Sequence, residues 1–185
     1  MKNFKNGLSF GFLCMMLIWG VMGIEFLFPI IKQFGIVPRE VSIRSFVGIF
    51  LSPLIHGDIN HIMANSISLF ILAVTLMASY ERLAIKVVLL IVLIGGCLVW
   101  LFAREATVHI GASGLIFGLV GFLIFNVFFR KDWRSLFVAI PIGFLYWTVI
   151  FGIFPSDPNI SWEGHLFGLL TGVWLSYILR KSPAN

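Results

Sequence analysis

The sequence predicts an all-α polytopic membrane protein, a bundle of six transmembrane helices forming a single domain over residues 1–185, with both termini in the cytoplasm. Three observations carry this expectation. First, 59% of the 185 residues are hydrophobic and 11% are charged, with a mean hydropathy of +1.03, whereas a soluble domain is about half apolar and about a quarter charged. Second, the apolar residues gather into six runs of the ~20 residues that a helix rising ~1.5 Å per residue needs to cross hydrocarbon. Third, basic residues are shared unequally between the two sides of these runs. The same composition excludes a disordered chain and a disulfide-stapled secreted fold, since there are 2 Cys and 20 Phe. The net charge of +5 does not imply a nucleic-acid partner, because the Lys and Arg residues are scattered in ones and threes between apolar segments.

The first run, 8–29, follows Lys2 and Lys5 and could open as a signal peptide. It outlasts a usual signal core and offers no Ala-x-Ala cleavage site, so it is read as a retained helix. The one long loop, 32–52, leads to the second run, 59–79. Tyr80-Glu81-Arg82 separates this from 83–102, and the stretch 103–106 separates that from 108–129. A basic cluster, 130–134, precedes 135–154, and Pro155 to Asn159 precede the sixth run, 161–179. Residues 181–185 are read as a disordered tail. With the N-terminus inside, nine basic residues (Lys2, Lys5, Arg82, Lys86, Arg130, Lys131, Arg134, Arg180, Lys181) lie on the inner side and four (Lys32, Arg39, Arg44, Arg104) on the outer side. A bacterial inner membrane is the simplest location. Cys14 and Cys97 fall about 9 Å and about 21 Å up their helices from the inner side, so they are read as packing residues rather than a disulfide.

In so apolar a chain the informative residues are the polar ones inside the spans, because an unpaired polar group in hydrocarbon costs several kcal/mol. The second, fourth and sixth runs all pass from outside to inside. His61, Ser113 and His165 each fall near the outer start of their run, and Asn65 shares the face of His61 one turn deeper. A serine becomes a nucleophile when a neighbouring base takes its proton, and neutral histidine is the usual base. An attacked carbonyl becomes an oxyanion, which amide, imidazole and backbone N–H groups stabilise. Taken singly, a serine between glycines is ordinarily a packing residue, and an intramembrane His or Asn can simply join helices. Four such placements at one depth point to a site. Gly114 and Gly118 on the fourth run, with Gly164, Gly168 and Gly172 on the sixth, are spaced to let those two backbones approach closely.

These residues carry a resemblance. His56-x4-His61-x3-Asn65, Gly111-Ala112-Ser113-Gly114 and Gly164-His165-x2-Gly168-x3-Gly172, in this order on the second, fourth and sixth runs, resemble the motifs of the rhomboid intramembrane serine proteases over residues 35–180. The resemblance implies a minimal six-helix core and an endopeptidase acting at or near the outer face on transmembrane protein substrates within membrane lipid, with no cofactor and no metal. It implies Ser113 as nucleophile and His165 as general base, with an oxyanion hole from His61, Asn65 and the backbone of Ser113. His56 would stand at the mouth of the cavity, with Gly111, Gly114 and Gly168 as supporting glycines. Phe117 stands where many rhomboids have a tyrosine beneath the catalytic histidine, and Ile43-Arg44 where they commonly have Trp-Arg. The fifth run, 135–154, and the loop 155–161 correspond to the family's lateral gate and cap, making Phe144, Trp147, Phe151 and Phe154 candidate gate residues.

Three further readings complete the picture. Glu25 and Arg44 are expected to snorkel to the outer interface, and His109 to be an interfacial loop residue. A zinc site around His61, Asn65 and His165 lacks an acidic or His-Glu-x-x-His ligand set. The competing functional class is a non-catalytic rhomboid-like protein that binds client helices. A channel or transporter would call for an ionisable through-path or an internal repeat.

Overall fold

The structure, a computed structural model, describes residues 2–105, 107–155 and 160–184. Among these residues the only regular elements are helices, apart from one isolated bridge. Helix α1 (Lys2–Leu27) begins and ends earlier than the apolar run suggests. It stops because Pro29 disfavours helical backbone in Phe28, which has φ −132° and ψ 79°. A 3-10 turn, Pro29–Phe34, leads to a feature absent from the hydropathy pattern. The long loop contains a short helix, α2 (Ile43–Leu51), whose first turn is capped by the Ser42 side chain accepting from the Ser45 N–H.

Four longer helices follow: α3 (Ile59–Ser79), α4 (Glu81–Phe102), α5 (Ser113–Arg130) and α6 (Trp133–Tyr146), which continues as the 3-10 segment Trp147–Ile153. The last helix is α7 (Trp162–Ile178). Asp132 starts α6 by accepting from the Ser135 N–H at 2.8 Å. Lys131, at φ 55°, provides the left-handed step that ends α5. Inside α4 lies a five-residue π-turn, Ile91–Gly95. It turns Ile91 towards Gly118 of α5 and Gly95 towards Gly168 of α7, so the irregularity sits where three helices meet.

Helix α5 runs through the middle of the bundle, packed on α3, α4, α6 and α7, and its contact with α7 is the most extensive in the molecule. Glycines make that contact. A Cβ added at Gly168 would overlap the Gly114 carbonyl, and one at Gly172 would overlap the Gly118 carbonyl. Around α5, Ile62, Leu69, Leu72, Leu76, Leu119, Phe122 and Leu123 form the solvent-free core. On the other side α1 lies along α3, with Gly7 and Gly11 close against Val74 and the Trp19 indole donating to Ser66 Oγ at 3.0 Å.

Large apolar side chains remain on the outside of the bundle, among them Met16, Phe26, Phe137 and Phe144, which is the surface a lipid environment requires. Among the described residues, five helical stretches (α1, α3, α4, α5, and α6 with its 3-10 continuation) are long and apolar enough to cross a membrane. The tail expected to be disordered is instead tied beneath the bundle. Arg130 donates to the Leu179 and Ser182 carbonyls, and the Arg82 N–H to that of Ala184. Both cysteines are free thiols.

Candidate active site

The histidine-asparagine pair of α3 is set by the loop before the helix. Asp58 accepts from the N–H groups of Asn60 (2.8 Å) and His61 (3.0 Å). It thereby caps α3 and fixes the first turn, in which His61 lies. The His61 N–H, more than any other contact, holds the Asp58 carboxyl below the usual carboxylate range. The loop itself is gripped from two sides. Glu25 on α1, only 2% exposed, accepts the backbone N–H of His56 at 2.9 Å, and Lys32 Nζ donates to the Gly57 carbonyl at 2.6 Å. Glu25 therefore does not snorkel. Its oxygen serves a backbone donor that would otherwise be orphaned in a buried loop. Arg44 pairs with Glu40 at 3.2 Å, a neighbour one helical turn away.

His56 is fully buried rather than standing at a cavity mouth. Its Nδ1 faces the Leu54 carbonyl at 3.2 Å, and its Nε2 accepts from the Ala112 N–H at 3.4 Å. Its ring meets that of His61 edge-on at 5.0 Å. Burial pushes the His56 imidazole down to about 4, so it is neutral and acts as a strut between the α3 loop and the residue before Ser113.

The segment expected to open the fourth span is not helical before Ser113. Residues 108–112 are extended or turning. His109 exchanges backbone hydrogen bonds with Ile36 in both directions, at 2.9 and 3.0 Å, and Gly111 has φ +107°, a conformation that side chains oppose. A Cβ on Gly111 would lie 2.5 Å from His61 Nε2 and 3.6 Å from Asn65 Nδ2. The glycine thus lets this turn come up against the two α3 side chains. Asn65 is buried and its Nδ2 has no hydrogen-bond partner among the described residues. Ser113 is the first residue of α5, at the end of the helix where unsatisfied N–H groups and the helix dipole favour negative charge.

His165 lies in the first turn of α7. Its Nε2 is 2.8 Å from Ser113 Oγ and its Nδ1 is 2.9 Å from the Gly152 carbonyl oxygen. A carbonyl can only accept, so Nδ1 carries the proton and Nε2 offers its lone pair to the serine hydroxyl. Phe117 stacks beneath the imidazole, with ring centroids 4.1 Å apart and planes 6° from parallel. His61, Asn65, Ser113 and His165 line one cavity of about 660 Å³ together with Asp58 and Arg104. Gly114 approaches the Gly164 carbonyl, with a Cβ there lying 3.2 Å away. Phe144, Trp147, Phe151 and Phe154 point outwards and are largely exposed, and of the loop 155–161 expected to act as a cap, residues 156–159 lie outside the described residues. No cluster of three or more metal-ligating side chains is present among the described residues.

Three contributors escaped the sequence. Gly152 acts through its backbone carbonyl, which no motif encodes. Glu25 was conspicuous as an acid in an apolar run, but its partner is a backbone N–H 31 residues away. His109, expected at an interface, is 5% exposed and bonded on both ring nitrogens.

Comparison with known proteins points to one family. Residues 44–182 match the model of the Rhomboid domain. The uncharacterized protein Rv1337 of Mycobacterium tuberculosis is 34% identical over 159 residues, covering 79% of this chain and 66% of that protein. YdcA of Bacillus subtilis, whose name assigns it provisionally to the rhomboid proteases, is 34% identical over 131 residues, covering 68% of this chain and 63% of its own. RHOMBOID-like protein 5 of Arabidopsis thaliana is 29% identical over 163 residues, covering 84% and 51% respectively. The chain therefore spans about two thirds or less of the length of these relatives.

Proposed function

The chain belongs to the rhomboid family, and from that premise we propose that it is an intramembrane serine endopeptidase hydrolysing peptide bonds in or beside transmembrane segments of other membrane proteins. The observation that carries this reading is the 2.8 Å contact between Ser113 Oγ and His165 Nε2, with the imidazole tautomer set by the Gly152 carbonyl. In serine hydrolases of the three-membered type an aspartate holds the far nitrogen of the base. Here a backbone carbonyl supplies the orientation and leaves the imidazolium that forms during reaction to be stabilised by Phe117 beneath it.

In the reaction, Ser113 Oγ attacks the substrate carbonyl carbon as its proton passes to His165 Nε2. The carbonyl oxygen becomes an oxyanion next to Asn65 Nδ2, His61 and the backbone N–H of Ser113. The buried Asn65 Nδ2, without a hydrogen-bond partner among the described residues, is a donor for the charge that develops during turnover. His165 then gives its proton to the leaving amine, the acyl group stays on Ser113, and a water molecule activated by the same imidazole releases it. The cavity above the pair admits that water. A peptide bond in a regular helix is shielded by its own hydrogen bonds, so suitable substrates have a locally unwound, small-residue stretch at this depth.

The same reading takes α7 as a sixth span, places both termini in the cytoplasm on the nine-to-four basic asymmetry, and opens the cavity to the outer face of a bacterial inner membrane. Co-expression with a tagged single-span membrane protein provides the test. The wild type should generate a shorter fragment that disappears with Ser113→Ala. A fragment of equal abundance with Ser113→Ala would refute the assignment, and binding of the intact client without cleavage would indicate a non-catalytic family member.

A further inference from the structure

His109 takes no part in the reaction described above, yet all four of its hydrogen-bonding groups are engaged. Its backbone N–H and carbonyl pair with Ile36. Its Nε2 lies 2.9 Å from Thr107 Oγ1 and its Nδ1 2.5 Å from Ser161 Oγ. The proton count fixes the directions. Thr107 donates its only hydroxyl proton to the Arg104 carbonyl at 2.8 Å, so its oxygen accepts from His109 Nε2–H. Nδ1 is then the acceptor, and the Ser161 hydroxyl donates to it.

Ser161 directly precedes α7, where a serine normally turns its oxygen onto the N–H groups of the helix's own first turn. It makes no such bond, and its side chain is directed across to His109 instead. The Ser161 carbonyl meanwhile accepts the backbone N–H of His165 at 3.2 Å. One end of the Ser161–His109 bond is therefore one helical turn ahead of His165, and the other is four residues ahead of Ser113. The arms of Arg104 grip the same start of α7, reaching the Ile160 carbonyl at 2.8 Å and Glu163 at 3.2 Å. Deeper in the bundle, Gly168 and Gly172 fix the spacing of α5 and α7. At the level of Ser113 and His165 those helices begin and the cavity opens, and beside the close approach of Gly114 to Gly164 the loop contacts of His109 and Arg104 tie their ends together.

We propose that His109 is a positioning residue: through Ser161 it latches the start of α7 to the segment leading into α5 and so sets the approach of His165 to Ser113. This rests on the assignment of Ser113 and His165 made above. Displacing a reacting group by about 1 Å can cost about 10²-fold in rate. His109→Phe, which keeps a ring and removes both nitrogens, should accordingly lower kcat by about 10- to 100-fold with KM little changed. His109→Asn places an acceptor at the position of Nδ1 and should restore most of the rate. Ser161→Ala should match His109→Phe, and the double variant should be no slower than either single one. Full kcat in His109→Phe, or losses that multiply in the double variant, would overturn the latch.

A readout without catalysis separates this idea from the one beneath it. In the Ser113→Ala background, hydrogen exchange across residues 162–166 should quicken with His109→Phe and stay slow with His109→Asn. Unchanged exchange would refute the latch whatever the enzyme does. A wild type that never cleaves, with exchange responding as described, would refute the proposed function alone. Should His109→Phe fail to fold, Ser161→Ala carries both measurements.

Discussion

At the scale of single residues, the site is defined by what each polar atom bonds to. The proposed base His165 is oriented by a carbonyl, the strut His56 by a carbonyl and an N–H, while Asn65 Nδ2 has no hydrogen-bond partner among the described residues and faces the site. Asn65→Ala is therefore informative: losing one proposed oxyanion donor should reduce kcat by about 10²–10³-fold while leaving the folded protein intact, as steady-state cleavage would show. Phe117→Leu should cost the stacking contribution of about 0.5–1.5 kcal/mol, or a few-fold to about tenfold in rate. The two buried loop histidines give a pH signature. Burial pushes His56 and His109 to about 4, against about 6.5 in the unfolded chain. Between those values the unfolded chain binds more protons, so stability should fall as pH drops from about 6.5 towards about 4. Thermal melts of detergent-solubilised protein would show this, and a midpoint unchanged across that range would contradict it. His61, Asn65, Ser113 and His165 were legible in the sequence because each is a polar residue where hydrocarbon penalises polarity. His109 and Glu25 were not, because their roles depend on partners distant in sequence: a serine 52 positions on and a backbone N–H 31 positions on.

At the scale of elements, the proposed chemistry depends on the meeting of α5 and α7, since each brings one member of the Ser113–His165 pair. Gly168 and Gly172 permit the approach, and a Cβ at Gly172 would occupy the place of the Gly118 carbonyl. Gly172→Ala should therefore separate the helices, costing about 1–3 kcal/mol of stability and slowing cleavage although residue 172 lies two turns from His165. Unaltered melting and activity would show that the close contact is dispensable. The glycine spacing that signalled this contact was visible in the sequence. The true start of α5 was not: Val108, Ile110 and Ala112 extend the apolar run, so hydropathy places them in the span, whereas the positive φ of Gly111 and the pairing of His109 with Ile36 keep them out of the helix. Short α2 was hidden for the converse reason, as nine residues form too brief a run to register against 20-residue spans.

At the scale of the whole molecule, a core around α5 is surrounded by apolar side chains that face outwards, and the sequence pattern sets nine basic residues on the side of the termini against four on the other. If the termini lie inside, a C-terminal fluorescent-protein fusion should glow and a C-terminal periplasmic phosphatase fusion should be inactive. The reverse result would invert the topology and the side to which the cavity opens. The membrane class was plain from composition, because lipid contact demands apolar residues on the outside as well as in the core. The central claim is that Ser113 is a nucleophile activated by His165. The most direct measurement is labelling of the detergent-purified protein with a serine-reactive fluorophosphonate, with the modified residue located by mass spectrometry. The account predicts modification at Ser113 in the wild type, none with Ser113→Ala and severe loss with His165→Ala. Equal labelling of all three proteins, or a label on another serine alone, would contradict it.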